Sequence, residues 1–169
     1  VNDYLYTIDG AEVKVFDVKQ ALPVLKNEVT MQWGIETLFP MAGTLFVGSN
    51  SGLLIYDISN PESPEYRSTF AHATACDPVV VEGNTAYVTL RDGNNCQGFV
   101  NQVDVIDASI LDNPNLIRTY QMSNPNGLSV VNKTLYLCEG TFGLKTFDVT
   151  DPNAVSANLL DHLSGFQAF

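Results

Sequence analysis

Three polar residues recur at one place in the chain. Glu36, Asp77 and Asn126 each stand ten residues ahead of an aromatic residue, namely Phe46, Tyr87 and Tyr136. Two carboxylates and an amide around one opening can hold a cation such as calcium or a water, or orient a polar ligand. As a pair, Glu36 and Asp77 have the chemistry of a glycoside hydrolase, which needs carboxyl groups about 5–9.5 Å apart. The same residues equally suit bonding to neighbouring backbone where a strand begins. With no His or further ligand beside them, they do not define a metal site.

Other candidates lie where the sequence leaves its own pattern. The stretch from Arg91 to Asn101 holds a cation, Arg91, two amides, Asn94 and Asn95, and an aromatic, Phe99. It reads either as an individual binding loop or as a tolerated surface insertion. Trp33 is the single Trp, and His72 lies in "AHATACDP". Both read as neighbours of a binding surface or as ordinary packing and solvent-facing residues. No GxSxG, HExxH, phosphate-binding glycine loop or CxxC is present, so no catalytic set is assigned.

Three cysteines occur, at 76, 96 and 138. Cys76 begins one strand and Cys96 falls in the insertion of the same repeat, on the same side. A bridge between them suits an oxidising compartment. It would close a loop of about 20 residues, worth about 3 kcal/mol by chain-entropy reasoning. Two independent thiols are the alternative. Cys138 reads as a buried free thiol, and the three lack zinc-ligand spacing.

Charge narrows the partners. There are 19 acidic and 8 basic residues, a formal net charge of −11. Phosphate backbones and anionic membrane surfaces would be repelled, which excludes nucleic acid. With 45% hydrophobic residues the chain is too apolar for disorder. No apolar run reaches the ~18 residues of a membrane span. The chain opens on Val1 with no signal segment and reads as a trimmed or partial one.

The frame that positions these residues is a repeat. The phrases "VKVFD", "LLIYD", "VDVID" and "LKTFD" end on Asp17, Asp57, Asp107 and Asp148, at steps of 40, 50 and 41 residues. The longer step holds the insertion. Each Asp precedes a turn and can accept its backbone N–H groups, so it reads as a structural lock rather than a ligand. Each period contains four short runs, such as "IETLFPM", "TLFVGSN", "LLIYDIS" and "EYRSTFA". These are strands by length and composition, and tight connections such as "AGT" and "NKT" suit hairpins. Adjacent large apolar residues, as in Leu45 and Phe46, point to opposite faces of a strand.

A small sheet with two apolar faces must be sandwiched between similar sheets. Four-stranded antiparallel units of about 40–45 residues describe an all-β β-propeller; a parallel β-solenoid is the weaker alternative. The repeats run approximately 1–31, 32–72, 73–122 and 123–165. Residues 166–169 start a strand that closes a four-bladed ring or opens a further blade, and the chain reads as part of a larger ring. In a blade with strands A to D from the axis outward, the D-to-A connections and B-to-C loops share one face. Glu36, Asp77, Asn126, Arg91, Asn94, Phe99, Trp33 and His72 all fall on that face, at the channel mouth.

These phrases resemble the LVIVD-repeat family, with "LLIYD", "VDVID", "VKVFD" and "LKTFD" at its five-residue signature. "DISNPESP" and "DVTDPNAV" resemble its usual continuation, and "AYVTL" before "VDVIDAS" is similar to YVTN-type propellers. Asp104 and Thr146 depart at single positions. The resemblance implies a β-propeller in a bacterial cell envelope, secreted or lipid-anchored. It implies no common activity. The function expected is a binding or interaction scaffold whose partner is a protein or carbohydrate of the envelope. A hydrolase or lyase acting on a polar or carbohydrate-like substrate at the mouth is the alternative.

Overall fold

The computed structural model describes residues 2–71, 78–92 and 100–169. The chain folds into four consecutive antiparallel sheets, each read outward from the centre. The first is β1 (Tyr4–Asp9), β2 (Glu12–Asp17) and β3 (Val24–Thr30). The second is β4 (Ile35–Met41), β5 (Thr44–Ser49), β6 (Gly52–Asp57) and β7 (Glu65–Ala71). The third is β8 (Val79–Glu82), β9 (Thr85–Leu90), β10 (Gln102–Asp107) and β11 (Asn115–Gln121). The fourth is β12 (Leu128–Val131), β13 (Thr134–Cys138), β14 (Leu144–Asp148) and β15 (Leu159–Leu163), with a single 3-10 turn at Val155–Ala157 before its last strand. The innermost strands β4, β8 and β12 pack in succession, with β1 against β4. Sheets meeting face to face while their first strands line one centre make four blades of a β-propeller.

Local sequence explains the hairpins. Ala42 and Gly43 take φ of 48° and 81°, and Asn132 and Lys133 take 50° and 60°. Both pairs turn through the left-handed region, whose twist matches that of the flanking strands. At the same end of each blade the repeated Asp closes a second turn. The Oδ1 atoms of Asp17, Asp57, Asp107 and Asp148 accept the backbone N–H of Lys19, Ser59, Ser109 and Thr150 at 2.9, 2.7, 2.8 and 2.8 Å. Hydroxyl and backbone bonds from those residues hold the Asp57, Asp107 and Asp148 carboxyls below the usual range.

In the first three blades the aromatic residue of the B strand points to the next blade. Tyr6 packs with Leu45, Val47, Leu54 and Tyr56. Phe46 packs with Val79, Val88 and Ile106. Tyr87 packs with Leu135, Leu137 and Phe147. Residues of opposite parity thus face opposite neighbours, which is why these strands are apolar on both faces. Each fully buried aliphatic or aromatic side chain contributes about 1.5–3 kcal/mol.

Polar bonds fix the docking angle between blades. The outermost strand of each of the first three blades donates to the C-to-D turn of the next. Asn27 Nδ2 donates to the Glu62 carbonyl at 2.8 Å, the Ser68 hydroxyl to the Leu111 carbonyl, and Arg118 Nη1 to the Asn153 carbonyl at 3.4 Å. Tyr6 and Tyr120 hydroxyls donate to the carbonyls of Pro61 and Pro152, each at 2.9 Å. All four blades also carry a β-bulge between their two outermost strands. A bulge re-aims the extra residue. In the first two blades that residue is Lys26, 3.7 Å from Glu62, and Arg67, which forks onto both oxygens of Asp112 at 2.8 and 2.9 Å.

Candidate functional site

The mouth face gathers the D-to-A connections and the B-to-C loops. Its second-blade corner is knit by small polar side chains. Gln32 Nε2 donates to the hydroxyl of fully buried Ser49 at 2.6 Å and to Ser51 at 3.1 Å. Ser49 in turn donates to the Gly52 carbonyl at 2.8 Å. The crossover before β4 is thereby tied to the end of β5. Gly34, at φ 78°, has no room for a side chain, since a Cβ would lie 2.4 Å from the Asn50 amide. Beside it, Trp33 is 79% exposed, and its ring stands over Gly10, 3.6 Å from where a Cβ would be.

The fourth-blade corner uses the same plan with charges. Glu139, at the position of Ser49, is completely buried. One carboxylate oxygen accepts the Ser123 N–H at 2.7 Å, and the other pairs with the Lys145 ammonium. That pair ties the crossover 122–127 to the hairpin 139–143. The hairpin presents Phe142, about half exposed, whose carbonyl lies 2.7 Å from His162 Nε2. The C-terminal segment crosses this corner: Gly140 and Ala168 exchange both backbone bonds, at 2.8 and 2.9 Å. Phe166 and Phe169 are exposed on it.

The three sequence-predicted polar residues have different surroundings. Glu36 is the extra residue of a bulge in β4, between the pairs Ile35–Ser49 and Thr37–Gly48, and is exposed. Asn126 is buried. Its amide donates to the Asn124 carbonyl at 2.8 Å, and its carbonyl accepts the Thr89 hydroxyl at 3.0 Å. Asp77 lies outside the described residues, as do His72, Cys76, Asn94, Cys96 and Phe99. Arg91 stands at the end of β9 and is half-buried. The base of the inserted loop is closed by Asn101, which accepts the Asp92 N–H through its side chain and the Met122 N–H through its carbonyl. Cys138 is a half-buried free thiol pushed up by burial. Among the described residues, no three His, Cys, Asp or Glu side chains are placed to hold a metal ion.

Sequence reasoning passed over the Glu139–Lys145 pair and the exposed Phe142. The available signal was that Glu139 shares its repeat position with Asp9, which pairs with Lys14 at 2.6 Å in the first blade, where the second and third copies have Ser49 and Leu90. It also passed over Asp104, buried on β10, where it accepts Gln102 Nε2 at 2.9 Å and the Thr119 hydroxyl at 2.7 Å. Its departure from the repeat was visible, but its partners were not.

Several solved structures share this arrangement. The computationally designed Ika8 protein matches over 99% of this chain and 48% of its own, at 12% identity and a TM-score of 0.69. A functionally unknown protein from Desulfotomaculum acetoxidans matches over 99% and 56%, at 17% identity and a TM-score of 0.69. A chain of the S. cerevisiae complex in which dbp5 is bound to nup159, gle1, ip6 and ADP matches over 98% and 42%, at 10% identity and a TM-score of 0.64. At such identities the likeness shows the fold. The chain spans about half the length of these structures. No curated protein matches the sequence. Residues 44–71, which are β5 to β7 with their connections, match the LVIVD repeat. The second blade therefore carries an LVIVD repeat, set in a chain that folds as four consecutive β-propeller blades.

Proposed function

We propose that this chain is a binding scaffold of the cell envelope whose mouth face takes a protein partner. The observation that carries this reading is the aromatic rim. Trp33 and Phe142 lie exposed on a crossover and a hairpin of one face. Aromatic side chains held out by a rigid frame are the usual anchors of protein interfaces. The frame beneath them is bonded by Gln32–Ser49 and Glu139–Lys145, so they are presented at little further ordering cost.

The envelope location is drawn from the LVIVD repeat and its occurrence in surface proteins. Among the described residues, no helix is long and apolar enough to cross a membrane. A disulfide between Cys76 and Cys96 would pin the third-blade loop, and a cation such as calcium would be held at the opening by Glu36, Asp77 and Asn126; both belong to this proposal. The hydrolase alternative rests on Glu36 with Asp77, and Asp77 lies outside the described residues, so it is not carried further.

The test is site-specific photo-crosslinking to solubilised envelope proteins. A photoreactive residue at 33 or 142 gives a discrete heavier band, and one at Tyr66, on the outer strand β7, gives none. Equal labelling from all three positions would overturn the reading.

A further inference from the structure

The junction between the second and third blades departs from the repeat in two side chains that meet. The B-strand aromatic is Phe46, where the other blades have Tyr6, Tyr87 and Tyr136. The residue after the repeated Asp is Ala108, where the other blades have Val18, Ile58 and Val149. Ile58, Ala108 and Val149 are all buried, each in the core shared with the preceding blade. Ile58 and Val149 fill that place with branched side chains, and Ala108 falls short of it. The aromatic facing it is shortened as well. The Tyr6 hydroxyl reaches the Pro61 carbonyl across the first junction. Phe46 has no hydroxyl to extend toward Leu111, which stands in the place of Pro61.

The two shortened side chains line one cavity. It measures about 210 Å³ and lies between Met41, Thr44 and Phe46 of the second blade and Ala108 and Leu111 of the third. It reaches the surface among the A-to-B hairpins and C-to-D turns, on the face opposite the mouth, where Ser109 is exposed at its rim. Close-packed interiors leave few voids larger than a water molecule, so a space of this size at a single junction is a specific feature.

The cavity wall is apolar apart from one buried hydroxyl group. Thr44 is 7% exposed. Its side chain lies on the same side of β5 as Phe46 and faces the third blade. No hydrogen bond of its hydroxyl occurs among the described residues. A buried hydroxyl without a partner is costly, and a ligand that supplies one recovers that cost. Thr85 and Thr134 hold the same position in the next two blades. The hydroxyl therefore belongs to the repeat, and the room beside it does not.

Size and charge narrow the ligand. Sites for drug-sized molecules measure about 300–1,000 Å³, which is too large for this space. An apolar cavity of about 150 Å³ takes benzene, so this one has room for a single ring with a small substituent. The Asp107 carboxylate adjoins the rim, where it accepts the Ser109 N–H at 2.8 Å. Together with a formal net charge of −11, it disfavours an anionic ligand. We propose that this cavity is a binding site for a neutral single-ring compound of the phenol class, its ring against Phe46 and Ala108 and its hydroxyl bonded to Thr44. The site shares no residue with the rim of Trp33 and Phe142, so it is separate from the protein-binding surface.

The test is a titration of the isotope-labelled chain with phenol, followed by NMR. Saturable shifts are expected at Thr44, Phe46 and Ala108 in the millimolar range, and none with benzoate. Ala108→Ile restores the side chain of the second blade and weakens phenol binding by about tenfold or more, because the ring no longer fits. Ala108→Val, which copies the fourth blade, does the same should the larger side chain disturb folding by circular dichroism. Thr44→Val keeps the shape and removes the hydroxyl. It weakens phenol by about fivefold, the weight of one hydrogen bond, and leaves benzene within about twofold. The proposal is overturned by any one of four results: no saturable shift with phenol, shifts confined to the mouth, equal binding of benzoate, or phenol binding unchanged in a folded Ala108 variant. It is also overturned if Thr44→Val affects phenol and benzene alike.

Discussion

Replacing Lys145 by Met should show how firmly the fourth-blade corner is held. The substitution keeps the side-chain volume and leaves Glu139 inside. That carboxylate is completely buried and retains only the Ser123 N–H on one oxygen. Its other oxygen loses the one partner it has, the Lys145 ammonium. Removing one member of a buried pair costs about 3–5 kcal/mol, because the remaining charge is stranded. Lys145 is itself one-fifth exposed, so water screens part of the loss and the low end, about 3 kcal/mol, is expected. For a domain of this size that lowers Tm by roughly 6–12 °C. Urea unfolding followed by circular dichroism measures it directly. Adding Glu139→Gln removes the stranded charge and keeps an acceptor for Ser123. The double variant should therefore recover to within about 1 kcal/mol of the parent. A Lys145→Met protein within about 0.5 kcal/mol of the parent, or a double variant no more stable than the single, refutes the reasoning.

The turn-locking carboxylates predict a response to acid. Asp57, Asp107 and Asp148 have folded-state pKa values held down by their hydroxyl and backbone bonds. Their contribution is therefore complete above the ordinary carboxylate range and is lost as pH falls from there through the lowered values. Tm should drop steeply below about pH 4, and the triple Asn variant should show a shallower slope. Leu45→Ala empties a completely buried site between the first two blades and should cost about 2–5 kcal/mol by urea unfolding. Tyr120→Phe removes a hydroxyl that donates to the Pro152 carbonyl and accepts the Val155 N–H. It should cost about 1–2 kcal/mol, with faster hydrogen exchange at Val155.

The fold was legible because each level of the sequence repeated the same message. "IETLFPM" and "EYRSTFA" coincide with β4 and β7. The adjacency of Leu45 and Phe46 required two covered faces, and the structure gives one to the first blade and one to the third. The repeated Asp could be read because its bond is local, two residues long. The site was less legible because its determining contacts are long-range. Glu139 meets Lys145 across a hairpin and Ser123 across a crossover, and nothing in "CEG" announces either. Asn126 and Glu36 share a sequence position, yet a bulge exposes Glu36 in β4 while local bonds bury Asn126 ahead of β12.

The aromatic rim is the claim on which the functional account stands. Its most direct measurement compares retention of solubilised envelope proteins on immobilised parent, Trp33→Ala and Tyr66→Ala chains. Trp33 is exposed on the mouth face and Tyr66 on the outer strand β7, so neither change should disturb folding. The account predicts at least a tenfold loss of the bound protein with Trp33→Ala and none with Tyr66→Ala. Equal retention by all three chains, or loss with Tyr66→Ala alone, would contradict it.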